Sequence, residues 1–267
     1  MINSCVRVDG GDLAVLSWPS DGPLVIAAHG ITANAMSWAA VARALDGRVH
    51  LVAPDLRGRA LSASLPPPFG MAAHADDLIA VADHFGASRP LLVGHSMGAF
   101  VVAATADRHP SRVGPVLMVD GGVNLGVPAS VDVDAALEAV IGPAIRRLSL
   151  RFPDFASYVD YFRANPAIGD HWDADLEAYI LRDFTGSGST CNITAIRADA
   201  TDMLRHPIPA GHPLLWAPRG LADEEGGLYR AHQLTGHDAE LVPDVNHYTI
   251  LTEGATVVAD RIAGMVA

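Results

Sequence analysis

The chain has 267 residues, half of them hydrophobic and 18% charged, and a formal net charge of −12. That balance fills one large core, or one core with an insertion, and excludes the clustered Lys and Arg that nucleic acid or an anionic membrane surface requires. No apolar run approaches the roughly 20 residues that span a bilayer, and "MINSCVRVDGGD" lacks the apolar stretch of a signal peptide.

A soluble, cytoplasmic protein is therefore expected. Cys5 and Cys191 stand far apart without metal-ligand spacing, so neither a disulfide framework nor a zinc site is implied.

Short apolar runs alternate with helical patterns through the first 120 or so residues. "DLAVLSW" (12–18) reads as a strand, "PLVIAAHG" (23–30) as a buried strand ending in glycine, and "SWAAVARALDG" (37–47) as a helix. Strand returns at "RVHLVAPDL" (48–56), helix at 70–86, strand at "RPLLVGHS" (89–96), helix at 97–110 and strand at "VGPVLMVDGG" (113–122). Continuous apolar strands joined by helices predict a mostly parallel, doubly wound sheet covered on both faces, an α/β class of fold. From 123 to 207 the pattern turns helical, as in "DVDAALEAVIGPAIRRLSL" and "DADLEAYILRDF". Strand–helix alternation resumes with "HPLLWAPRG" (212–220) and "AELVPDV" (239–245) and ends on a helix. The expected organisation is a core at 1–122 and 208–267, with a helical insertion at 123–207.

The chemistry concentrates at Gly94-His95-Ser96-Met97-Gly98, which follows a predicted strand and opens a predicted helix. This is the context of a nucleophile elbow: glycines two positions either side remove Cβ atoms that would clash in a strained turn. The turn exposes the Ser96 hydroxyl and leaves the Met97 amide at a helix N-terminus, facing any negative charge that develops. An acyl-transfer serine needs a second oxyanion donor besides Met97; Ile31 follows His29-Gly30 at the end of an earlier predicted strand. Serine needs a histidine base. Of the 12 histidines, His247 in "PDVNHYTI" lies between the last strand and the last helix, in a loop above the carboxyl edge of the sheet. Two carboxylates are candidates for orienting it. Asp120 ends the strand "LMVD" and is the favoured choice; Asp223 in "RGLADEEGG" is the second.

His29-Gly30, "PDLRGRALS", "GHSMG" and "NHYTI" resemble, in order and spacing, the α/β-hydrolase superfamily of the serine esterase type with a helical cap after the sixth strand. The resemblance spans nearly the whole chain. It implies a catalytic triad of Ser96, His247 and Asp120, an oxyanion hole at Ile31 and Met97, and no cofactor or metal. It also implies hydrolysis of a small-molecule carboxylic ester or thioester. Lactone hydrolysis and carbon–carbon bond hydrolysis use the same residues and stay open, as does a non-catalytic ligand receptor on this fold. Epoxide hydrolases and dehalogenases of this fold carry an aspartate at the elbow, which argues against those activities here. One departure is Ala60, where relatives often have glycine.

Gly30 and His95 flank these motifs and are expected around the substrate pocket; Trp38, a little further on, is expected either to line that pocket or to pack beneath the inserted helices. Phe152, Phe155, Tyr158 and Tyr161 recur every three residues, a stripe that reads as helix core more readily than as substrate wall.

Overall fold

The computed structural model describes residues 1–124, 128, 130–205 and 211–266. The chain opens with a hairpin, β1 (Ile2–Val8) and β2 (Gly11–Trp18), followed by β3 (Leu24–Ala28), α1 (Ala39–Leu45), β4 (His50–Pro54) and α2 (Met71–His84). Next come β5 (Leu91–His95), α3 (Met97–Arg108) and β6 (Val116–Val119). Between β6 and β7 the described residues hold α4 (Val133–Ser149), α5 (Phe155–Arg163), α6 (Ala174–Asp183) and α7 (Ile193–Arg205). The chain then returns through β7 (Leu214–Trp216), β8 (Ala239–Leu241) and α8 (Ala255–Val266).

The eight strands form one sheet in the order β1-β2-β4-β3-β5-β6-β7-β8. Only β2 runs antiparallel to its neighbours β1 and β4; the remaining pairings are parallel. The α/β class read from the sequence is the fold observed. β1 was not anticipated, because in "INSCVRV" only Val6 and Val8 are buried and the remaining polar residues hide the strand signal.

Alternation along the strands explains why both faces are covered. In β3, Ile26 and Ala28 join one apolar cluster with α2 and α3, while Val25 and Ala27 join a second with α1 and α8. β6 repeats this, Val116 and Met118 on one side and Leu117 and Val119 on the other. Such two-faced burial requires the continuous apolar runs seen in the sequence.

The inserted helices start where the sequence supplies caps. Asp132, Asp154 and Asp173 each accept hydrogen bonds from backbone amides in the first turn of α4, α5 and α6. Tyr158, Phe162 and Ile180 form a small core of their own with Phe152, Phe155 and Tyr161 against it, so the aromatic stripe packs helix on helix. Ion pairs then fix this segment to the loop that follows β4: Arg182 of α6 reaches Asp55 at 2.8 Å, and Asp199 of α7 pairs with Arg59. No helix among the described residues is long and apolar enough to cross a membrane.

Candidate active site

Ser96 sits between the end of β5 and the first residue of α3 with φ 56° and ψ −121°, a left-handed conformation that costs an L-residue energy. The surrounding glycines make it possible. A Cβ on Gly94 would lie 2.1 Å from the Gly98 carbonyl oxygen, and one on Gly98 would lie 2.1 Å from that of Ala28. On the far side, a Cβ on Gly121 would come within 2.2 Å of the Ser96 carbonyl oxygen. The Ser96 amide is held by the Val119 carbonyl at 3.0 Å, which ties the turn to β6.

The end of β6 delivers the carboxylate. Asp120 is fully buried, with φ 40°, and its Oδ2 lies 2.6 Å from Nδ1 of His247. Its Oδ1 accepts the Ala217 amide at 3.0 Å. The pair joins residues 127 positions apart. The loop bearing His247 is set by Asn246, whose Oδ1 accepts the amides of Tyr248 and Thr249, both at 2.9 Å. His95 Nε2–H donates to the His247 carbonyl at 2.8 Å, and burial, then the neighbouring His247, pushes the His95 pKa well down. His95 is thus a neutral strut behind the imidazole.

Asp223 stands elsewhere. Its carboxylate is gripped by Arg219 at 2.7 and 2.6 Å and accepts Asn246 Nδ2 at 3.1 Å. Those bonds, Arg219 first, draw its pKa down to about 2. Its partners are the arginine and the asparagine; the imidazole nitrogen goes to Asp120.

Ile31 and Met97 both reach the cavity wall beside Ser96. Met97 is the first residue of α3, so its amide is one of the donors that an α-helix leaves without an internal acceptor. The Ile31 amide belongs to the same planar unit as the Gly30 carbonyl, and His29 Nδ1–H donates to that carbonyl at 2.8 Å. His29 Nε2 in turn accepts the Leu56 amide at 2.9 Å, which fixes the tautomer. Burial lowers the His29 pKa to about 3, so it acts as a neutral brace that aims the Ile31 N–H.

The cavity in front of Ser96 measures about 70 Å³ and is bounded by Ser96, His247 and Asp120 on one side. Phe100, Ile141, Met203, Leu221 and Leu228 supply an apolar wall opposite. Two of the pocket expectations need correction, and Trp38 takes the second of the two placements open to it. Trp38 is fully buried in the core cluster with α1 and α8, and its turn packs against α6 of the inserted helices, away from the cavity wall. His95 supports the His247 loop from behind. Gly30 lies close to Ser96 without bounding the cavity; a Cβ there would lie 3.3 Å from that of Ser96. Sequence reasoning missed Phe100, although it lies one helical turn beyond Ser96 and so projects from the same face. The α7 and Leu221–Leu228 contributions had no comparable signal.

A family model described as "alpha/beta hydrolase fold" matches residues 23–185. The chain is 34% identical over 117 residues to a Caulobacter segnis protein named as carbamate hydrolase RutD, a match covering 43% of this chain and 44% of that one. It is 30% identical over 177 residues to epoxide hydrolase B of Mycobacterium tuberculosis, covering 63% and 48%. The chain thus spans about half the length of the curated relatives it matches. Among solved structures, E-2-(acetamidomethylene)succinate hydrolase shares its fold, with a TM-score of 0.77 over 99% of this chain and 98% of that one at 20% identity. With the strained serine turn and the eight-stranded sheet, these matches establish that the chain belongs to the alpha/beta-hydrolase family.

Proposed function

We propose that this protein is a serine hydrolase that cleaves a small-molecule carboxylic ester or thioester through an acyl-enzyme on Ser96. The observation that carries the reading is the 2.6 Å contact between His247 Nδ1 and the buried Asp120 carboxylate, on the wall of the cavity that Ser96 enters. In this reading the helical segment at 123–207 acts as a cap over the core.

His247 Nε2 takes the Ser96 proton as Oγ attacks the carbonyl carbon, and the Ile31 and Met97 amides receive the developing oxyanion. Asp120 holds the imidazole in the tautomer with Nδ1–H and stabilises the imidazolium that forms. The proton passes to the leaving group as the tetrahedral intermediate collapses. Water, deprotonated by His247, then attacks the acyl carbon and frees Ser96.

The nucleophile's chemistry limits what carries over from relatives. A carboxylate that opens an epoxide forms an ester, which water can cleave. A serine alkoxide doing the same would form an ether and trap the enzyme. Epoxide opening is therefore disfavoured at Ser96, whereas a carbamate carbonyl suits it as an ester does.

The test is a p-nitrophenyl ester assay with Ser96→Ala as the control. The wild type should release nitrophenol, and the variant should fold yet lose at least about a hundredfold in kcat, since nucleophile loss removes several powers of ten. A variant that keeps more than this would exclude Ser96 as the nucleophile.

A further inference from the structure

We propose that Arg59 is a positioning residue for the oxyanion hole, held to that task by Asp199 of the helical insertion, a role that rests on the serine-hydrolase reading above.

The stretch "PDLRGRALS" carries two arginines, and the fold spends them differently. Arg57 grips Asp77 through Nε and Nη2 at 2.7 and 2.6 Å. Arg59 instead donates its Nε–H to the Ile31 carbonyl at 2.9 Å and uses Nη1 for the Arg57 carbonyl, at 2.9 Å, and for the Asp199 carboxylate. Its Nη2 lies 3.5 Å from Met97 Sδ. One planar cation thus contacts both residues whose amides would receive the oxyanion. A guanidinium is a rigid fork of donors, so the groups bonded to it are fixed relative to one another.

The bond to Ile31 bears directly on the direction of its N–H. That N–H belongs to the peptide unit whose oxygen, the Gly30 carbonyl, is held by His29. Arg59 holds the oxygen of the next unit. Both units are planar, so fixing the two oxygens leaves the intervening Ile31 N–H little freedom to turn. An oxyanion donor acts only if it already points where the charge will form, and a misplacement of about 1 Å costs on the order of a hundredfold in rate.

Asp199 makes the arrangement possible. Arg59 and Asp199 are both without solvent exposure, and a cation so buried needs a partner. The carboxylate also accepts the Gly70 amide at 2.6 Å and lies 3.1 Å from His74 Nε2 of α2. It sits on α7, whose Ala200 and Met203 bound the cavity. The insertion therefore reaches the oxyanion hole through the guanidinium, by a route that needs no contact with substrate.

The experiment measures kcat and KM for a p-nitrophenyl ester in wild type, Arg59→Met, Arg59→Met combined with Asp199→Leu, and Arg59→Lys. Inhibition by a trifluoromethyl ketone, whose adduct on Ser96 bears the same oxyanion, is measured in parallel, and urea midpoints report the fold. The double variant should regain stability over Arg59→Met, yet keep a kcat at least about tenfold below wild type with KM within about threefold. Affinity for the ketone should fall by about the same factor. The acidic limb of kcat/KM should keep its midpoint, because the His247–Asp120 pair is untouched. If the double variant does not fold, Arg59→Lys decides: it keeps a charge for Asp199 but not the fork, and the same loss of kcat is expected. A folded double variant or Arg59→Lys with kcat and ketone affinity within about threefold of wild type would overturn the role and leave the pair structural only. So would a loss confined to KM, or one that travels with a shifted acidic limb. A wild type inert towards esters, with Ser96 unlabelled by a fluorophosphonate, would overturn the serine reading and this role with it.

Discussion

Arg59, which has no solvent exposure, donates its Nε–H to the Ile31 carbonyl at 2.9 Å and pairs with the equally buried Asp199 of α7. One guanidinium therefore braces the loop beside Ser96 and anchors the helix that walls the cavity. Burial alone would raise the Asp199 pKa, but His74 and Arg59 beside it hold the carboxyl well below the usual range.

Removing one member of such a pair leaves the other charge uncompensated. Arg59→Met should cost about 3–5 kcal/mol of stability, and Arg59→Met combined with Asp199→Leu should cost less than the single change. Urea unfolding of the three proteins measures this. A double variant weaker than the single would show that the pair's worth lies in its hydrogen bonds to Ile31 and Gly70, not in charge balance.

His29 makes the fold acid-sensitive. Its folded pKa is about 3, against about 6.5 when unfolded, so between these values the unfolded chain binds the extra proton. Stability is full above pH 6.5 and declines as pH falls towards 3, by about 1.4 kcal/mol per unit. His29→Gln removes this titration. Unfolding midpoints at about pH 7 and about pH 5 should converge in the variant relative to wild type, with His95 supplying the residual slope. Identical slopes in both proteins would show that His29 contributes nothing to acid lability.

Much of the fold was legible because burial on both faces of a parallel sheet leaves unmistakable apolar runs, and the elbow because glycine is obligatory at 94 and 98. What the sequence hid depends on contacts between distant segments. Asp120 and Asp223 were both plausible acids until the chain closed and put one carboxylate beside His247 and the other beside Arg219. The Arg59–Asp199 pair spans 140 positions and carries no motif. Trp38 follows the Gly30–Ile31 loop in sequence, yet its helical turn directs it into the core.

Ala60 occupies φ 43° at the start of a 3-10 turn, and its amide donates to Thr190 Oγ1 at 2.9 Å. An L-residue there bears a steric cost of about 1–2 kcal/mol that glycine avoids, less the entropy glycine loses on folding. Ala60→Gly should therefore stabilise the protein by up to about 1 kcal/mol while leaving ester turnover unaltered. A drop in the urea midpoint would mean that the methyl group's packing outweighs the backbone strain.

The assignment of the acid can be tested by making Asp120→Asn and Asp223→Asn side by side. Asp120 accepts the His247 Nδ1–H and the Ala217 amide. An asparagine there can turn its NH₂ towards Nδ1, which moves the imidazole proton to Nε2, where it cannot accept the Ser96 proton. The expected loss is roughly a thousandfold or more in kcat, with the fold intact by circular dichroism. Among the described residues Asp223 reaches the site through Asn246, whose Oδ1 keeps its two amide bonds in the variant. Asp223→Asn also frees Arg219, an exposed loss worth little to stability. Its kcat should stay within about tenfold of wild type, because only the outer support of the His247 loop changes. A thousandfold loss from Asp223→Asn with a mild effect from Asp120→Asn would place the acid after β7 and leave the 2.6 Å contact as structural only.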